Sequence, residues 1–580
     1  MGCDADGIEG SEVLTEQLRR WGARAIQAAT LCAGAGVFLF YVNRLFPELP
    51  LYAGDEGAYL IRALYGDRLL SHPDAYRQLQ SVDNAVYFFL IRLVDALSLN
   101  VLPWLRLIGA ASYFGGLGLL YTLAVKACGR TTALGFLLIA SLFPFYRFVF
   151  TAMPEGLFIG LLCLIAWVLH QTYLSRPRLN AIIAGALIAI LVLLKPHGLV
   201  AGISFVVVSF IDTWLRKGTW ASLGGRLILF AAAFMATGTA IGLLADRSLR
   251  AALLFFQGSY YGQQLSHAPG PDSLFVALLA AGSMVAWCAV LMAVPVLAGL
   301  RKPVLRLLGR TEEQLDQGDV VFLFVLLCAA GAIAMVTIFA FKVSFMVIET
   351  RRIWGRYFEF YTPLLWLLAA GPLSRWEAVS RWRDRLPAAV LILLGACGLL
   401  LVFALGVQLF PWDGTAIEAF TTPEAVRFPF GYLGGSRLLA FVATVAIAAA
   451  TLFGVRLRVA WPAYFVILGL LSTRSDDAWV GELARRNRAV EHELHIARNL
   501  TTGSKTLVIA SEMNDGHIAF LRLDGRTSVV VDPGAPPPEL TRGYRHLVVL
   551  RDRPVGEQWS RSFRGEALSI YDRKMEKTAP

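Results

Sequence analysis

Residues 320–341 read VVFLFVLLCAAGAIAMVTIFAF, 22 positions without a charge. As a helix such a run is long enough to cross a hydrocarbon core about 30 Å thick. Similar runs recur along the chain and stop near residue 473. The 580 residues are 56% hydrophobic and only 16% charged, with a mean hydropathy of +0.58, too oily for a soluble enzyme of this size. Thirteen spans follow from the pattern: 24–43, 101–124, 132–150, 155–173, 180–195, 198–212, 226–245, 273–299, 320–341, 357–373, 387–409, 437–454 and 459–473. The fold class is therefore an α-helical polytopic membrane protein.

Charge orients it. With the N-terminal tail, residues 1–23, in the cytoplasm, the short inside loops collect 20 basic residues, from Arg19, Arg20 and Arg24 through Arg301, Lys302, Arg306 and Arg310 to Arg456 and Arg458. The longer outside loops hold fewer, as the positive-inside rule requires. The net charge of +11 thus serves topology, and no basic run interleaved with aromatics suggests nucleic acid. Six of the seven cysteines fall in or beside spans and Cys3 lies in the leading tail, so no disulfide framework is implied.

An odd span count puts the remainder, residues 474–580, outside. There the composition becomes that of a soluble α/β domain: a polar helix from Glu482 to Asn499, then strand-like runs at Thr506–Ala510, His517–Leu523, Thr527–Val531, His546–Leu550 and Ala567–Tyr571. It has no phosphate-binding glycine loop or metal cluster, and docking or partner contact is the expected role. The first outer loop, 44–100, is neither spanning nor disordered. Apolar residues from Ala58 to Tyr65 and from Val86 to Val94 recur at helical spacing, which predicts two amphipathic helices at the membrane surface.

Chemistry-bearing residues gather on the outside. Asp55 and Glu56 are adjacent acids; they read either as a helix cap with a first-turn acid or as a functional pair, since neighbouring carboxylates repel unless a cation or helix N-terminus offsets them. Glu155 follows Pro154 in a very short outer turn, as a first-turn acid or as a carboxylate that needs a partner at the membrane face. Lys195 and His197 flank Pro196 at the outer end of a span, where a lysine either snorkels or binds phosphate. The segment Glu349–Pro363 puts Arg351, Arg352 and Arg356 outside, against the charge rule; guanidinium groups there either anchor lipid headgroups or clamp a phosphate. There is no His-x-x-x-His, Cys-x-x-Cys, Gly-x-Ser-x-Gly or Walker motif, so zinc hydrolysis, serine hydrolysis and direct ATP use have no sequence support.

Four short motifs in this order resemble the GT-C superfamily of membrane glycosyltransferases, which includes protein O-mannosyltransferases, the aminoarabinose transferase and arabinofuranosyltransferases: Tyr52-Ala-Gly-Asp55-Glu56-Gly-Ala-Tyr59, Met153-Pro-Glu155, Lys195-Pro196, and Gly355-Arg356-Tyr357 followed by Pro363. The resemblance covers residues 24–473. It implies a catalytic membrane domain that moves a sugar, with inversion, from a polyprenyl-phosphate donor to a glycan, lipid or protein acceptor on the outer face of a bacterial inner membrane, the side facing the periplasm. It implies Asp55 and Glu56 as the catalytic pair, Asp55 as general base and Glu56 as positioner of the acceptor or a cation, and Arg356, Tyr357, Arg352, Arg351 and Lys195 as holders of the donor phosphate. Tyr59 and His197 would position acceptor or donor. Glu155 matches a second acidic position that in some members binds a divalent metal, Mg or Mn. Here it is a lone glutamate rather than an Asp-x-Asp pair.

Two other classes compete. A transporter or lipid-linked sugar flippase predicts repeats, Gly/Pro-broken helices in matched positions and charges in mid-membrane. No such repeat is visible, and the charges cluster at one face. A non-catalytic scaffold would leave the acidic pair and the arginine cluster unexplained.

Overall fold

The computed structural model describes residues 28–37, 54–69, 84–97, 100–142, 151–245, 248–257, 269–342, 352–407, 416–420, 436–501, 505–510, 513–522, 528–531, 541–551 and 555–574, with isolated positions near the N-terminus. The tail 1–23 and Arg351 lie outside this description, as does the side chain of Asp55. Among the described residues the membrane part is built of helices and short turns. Its elements are α1 (Ala28–Val37), α2 (Gly54–Leu69), α3 (Ala85–Ala96), α4 (Val101–Cys128), α5 (Arg130–Ser141), α6 (Glu155–Thr172), α7 (Pro177–Leu194), α8 (Leu199–Leu215), α9 (Trp220–Leu244), α10 (Ser273–Leu307), α11 (Gln317–Lys342), α12 (Tyr361–Leu368), α13 (Ala370–Val379), α14 (Trp382–Ala404), α15 (Ser436–Leu452) and α16 (Leu457–Leu500).

Eight helices among the described residues are long and apolar enough to cross a membrane, and α1, α5, α15 and the first part of α16 are apolar but shorter. The span expected at 357–373 is instead two short helices, α12 and α13. Pro372 has no N–H to offer the carbonyl of Leu368, where α12 ends, so the ladder breaks there. Many large apolar side chains on α9 and α14 point outward, as lipid-facing positions must: Ile228, Leu243, Leu244, Leu391, Leu394 and Leu401 are all exposed.

The two amphipathic helices of the first outer loop are present as α2 and α3. The expected boundary at 473/474 is not a linker. It falls inside the 44-residue helix α16, which carries the chain from apolar to polar sequence without a break. Beyond it lies a five-stranded sheet, β1 (Thr506–Ala510), β2 (Ser528–Val531), β3 (His546–Leu550), β4 (Trp559–Arg564) and β5 (Leu568–Arg573), in the order β2-β1-β3-β5-β4. β1 pairs in parallel with β2 and β3, while β5 runs antiparallel between β3 and β4.

Two readings of this domain are corrected. The strand expected at His517–Leu523 is a helix, α17 (Met513–Arg522), because a four-residue apolar run, Ile518–Leu521, fits a buried helix turn as well as a strand. Its crossover also connects the parallel pair β1 and β2. The strand β4 was not expected: Arg561, Ser562 and Arg564 make it polar, as suits an edge.

Candidate active site

Local sequence places each group. Pro196 forces the preceding residue out of the helical region, so Lys195 ends α7 in an extended conformation, φ −155° and ψ 128°. The chain then makes a short 3-10 turn, Pro196–Gly198, which carries His197 inward. Pro154 starts α6, leaving Glu155 in its first turn. Gly156 lets α6 approach α4 so closely that a Cβ there would lie 2.5 Å from the Gly109 carbonyl oxygen. A 3-10 turn at Gly355–Tyr357 presents Arg356 and Tyr357.

These turns converge. Lys195 Nζ lies 2.5 Å from Glu155 Oε1 and 5.3 Å from the centre of the Tyr357 ring. His197 stacks on the other residue of this layer, Tyr357, with ring centres 4.7 Å apart and planes inclined by 18°. Arg356 donates to the Tyr357 hydroxyl at 2.9 Å. Glu155, Lys195, His197 and Tyr357 line one pocket, closed on its apolar side by Phe158, Ala332, Phe360 and Tyr361. Arg352 stands one layer behind, its guanidinium 3.9 Å over the Trp354 ring. Trp354 in turn meets Tyr357 at 5.7 Å.

The first outer loop closes the other side. Glu56 is fully buried; its carboxylate accepts from Arg106 on α4 at 3.3 and 3.4 Å and from the backbone N–H of Ala152 at 2.5 Å. This places the Glu56 carboxylate three residues from Glu155 in the short outer turn. Tyr59 packs edge-on against Tyr87, 5.5 Å between ring centres, rather than lining the pocket. Burial, with Glu56, Glu155 and Tyr59 nearby, pushes the Tyr87 phenol well above its usual range. Tyr87 is therefore a neutral O–H donor, and its hydroxyl has no partner among the described residues. Asn84 donates its side-chain amide to the Leu194 carbonyl at 2.8 Å, tying the start of α3 to the residue before Lys195.

Three of these residues escaped sequence reading. Arg106 had a signal: a lone arginine in the first turns of an apolar span demands a partner. Asn84 and Tyr87 had none, being ordinary residues of an amphipathic loop until the fold sets them beside Leu194 and Glu155.

A divalent metal at Glu155 meets an obstacle. One of its oxygens already holds an ammonium group, and a cation on that oxygen would have to displace Lys195. Among the described residues no three His, Cys, Asp or Glu side chains gather as a metal site. A hard cation such as Mg takes several oxygen ligands. The described residues do not gather such a set.

No protein-family model and no curated protein matches the chain. Solved structures do. ArnT from Cupriavidus metallidurans bound to undecaprenyl phosphate superposes with a TM-score of 0.56 at 12% identity, over 95% of this chain and 99% of that one. The same protein in its apo state gives 0.54 at 13% identity, over 96% and 100%. At such identities the likeness speaks for architecture: the chain is a polytopic helical membrane protein with the fold of ArnT, as the GT-C resemblance of its motifs implied.

Proposed function

We propose that the chain is a membrane glycosyltransferase that moves a sugar from a polyprenyl-phosphate donor to a lipid, polysaccharide or protein acceptor, with inversion, at the periplasmic face of a bacterial inner membrane. The observation that carries this reading is the convergence of Lys195, His197 and Tyr357 on one pocket with Glu155, with Arg356 bonded to the Tyr357 hydroxyl and Glu56 of α2 held to the nearby outer turn at Ala152. The neighbour whose structure holds undecaprenyl phosphate supports the choice of donor.

In this mechanism the acceptor hydroxyl gives its proton to Asp55, because an unassisted sugar or lipid hydroxyl is a poor nucleophile at neutral pH. Its oxygen bonds to the anomeric carbon from the side opposite the phosphate. The bond from that carbon to the phosphate oxygen breaks, and its electron pair leaves with the polyprenyl phosphate. Charge develops on that phosphate in the transition state, and in this reading Arg356 and Lys195 neutralise it, with Arg352 behind them. Tyr357 orients Arg356 through its hydroxyl and Lys195 through its ring face. Glu56 positions helix α2 rather than meeting substrate, since both its oxygens are engaged. Glu155 keeps one oxygen without a partner among the described residues, open to a sugar hydroxyl. No step is routed through a metal.

The test is transfer of label from a radiolabelled polyprenyl-phosphate sugar in membranes containing the native chain, Asp55→Asn or Arg356→Ala. Asp55→Asn is expected to lower transfer by roughly 10²- to 10⁴-fold, the usual span of general-base catalysis. Undiminished transfer in that variant removes the mechanism. Lipid-linked sugar that crosses the bilayer without being consumed would establish the flippase instead. Addition of EDTA is expected to leave the native rate unchanged, and its loss would return a metal to the site.

A further inference from the structure

Helix α2 belongs to two cores at once. Leu60 and Ala63 are buried with the membrane helices, whereas Ile61 is buried among Val490, Leu494, Ile518 and Phe520 of the C-terminal domain. Tyr65 meets the Phe520 ring edge-on at 5.4 Å. The closest approach is at Gly57: a Cβ there would lie 2.7 Å from His517 Cβ, 2.9 Å from Nδ1 and 3.0 Å from Cγ. Glycine inside a helix costs about 1 kcal/mol relative to alanine, so its use here reflects contact that a side chain would forbid.

The domain is itself fixed to the bundle. Glu493, on the helix α16 that rises from the membrane, accepts from the backbone N–H groups of Glu566, Ala567 and Leu568 at 2.6, 3.0 and 2.8 Å at the turn into β5. A continuous path therefore runs from the bundle through α16 and the sheet to His517, and from there back to the first turn of α2, two residues from Asp55.

We propose that the C-terminal domain is part of the catalytic apparatus and that His517 is a positioning residue, which fixes α2 and thereby the place of Asp55. This rests on the reading of Asp55 as base. It replaces a docking role for the domain with a structural one inside the reaction. The donor-phosphate groups, Lys195 and Arg356, lie on other elements and are outside this path.

The experiment uses the full-length chain in membranes and reads two quantities: initial rates against polyprenyl-phosphate sugar, and binding of undecaprenyl phosphate by tryptophan fluorescence. Gly57→Ala is expected to lower kcat by about 10- to 100-fold, as misplacement of a reacting group by up to an ångström does. Its undecaprenyl phosphate affinity and donor KM should stay native. The paired change Gly57→Ala with His517→Gly removes the three atoms that the new methyl meets but also the imidazole, so it should keep undecaprenyl phosphate binding while kcat stays lowered. A native kcat in Gly57→Ala or in the pair overturns the proposal. If Gly57→Ala does not fold, His517→Ala, which adds no atom, decides it: kcat must fall at unchanged donor KM, and a native kcat refutes the role. Absence of transfer by the native chain would be the failure of the glycosyltransferase reading itself.

Discussion

Glu56 and Glu155 stand in the first turns of two helices at the same end of the bundle, each buried and each facing a cation, yet they are used differently. Glu56 spends both oxygens on protein, bridging Arg106 on α4 and the backbone of Ala152. Glu155 spends one on Lys195 and keeps the other. A carboxylate with both oxygens engaged is a clamp, because giving up a partner would strand a buried charge. One with an oxygen in reserve beside a pocket can take a ligand. The difference teaches that burial alone does not separate a structural acid from a working one; the count of satisfied oxygens does.

Removing the clamp should have the largest effect. Glu56→Ala leaves Arg106 buried without its carboxylate, and breaking a buried pair in this way costs roughly 3–5 kcal/mol. Thermal unfolding of the purified protein should show the loss, and Arg106→Met in the same chain should recover part of it. A stable, fully active Glu56→Ala would end the distinction between the two acids. Glu155→Gln should lie lower on the stability scale, near the 1–3 kcal/mol of an unsatisfied buried group, and should appear chiefly in transfer kinetics. If instead it unfolds the protein while Glu56→Ala does not, the two roles are reversed. The smallest change is Asn84→Ala, which removes one hydrogen bond to Leu194 worth about 1 kcal/mol. It should shift the melting temperature slightly and raise the donor KM through Lys195, and an unaltered KM would separate α3 from the phosphate site.

Much of the fold was legible because bilayer-crossing helices announce themselves in one dimension: 20 apolar residues have few alternative uses in water. The helices α2 and α3 were legible for a related reason, their 3.6-residue periodicity. Short elements were not. The run around His517 has too few residues for its period to be read, and the polar edge strand β4 lacks the apolar alternation of its neighbours. Residues that gather at the pocket were singled out in the sequence, but their pairings were not. Lys195 and Glu155 drew notice by charge in unusual places, whereas the partner of each lies far along the chain. Glu56 and Arg106 are 50 positions apart, and Glu155 and Lys195 are 40.

Composition and local spacing were enough to name the solvent of this protein and its helical class, and to single out Glu155 and Lys195. Tertiary structure alone decided which acid is bound as a clamp and which is open, and that the helix of Asp55 is shared with the C-terminal domain through Gly57 and His517, 460 positions later. The physical reason is that charge neutralisation and close packing are properties of pairs. A pair is set by where the chain returns to itself, and no local pattern encodes that.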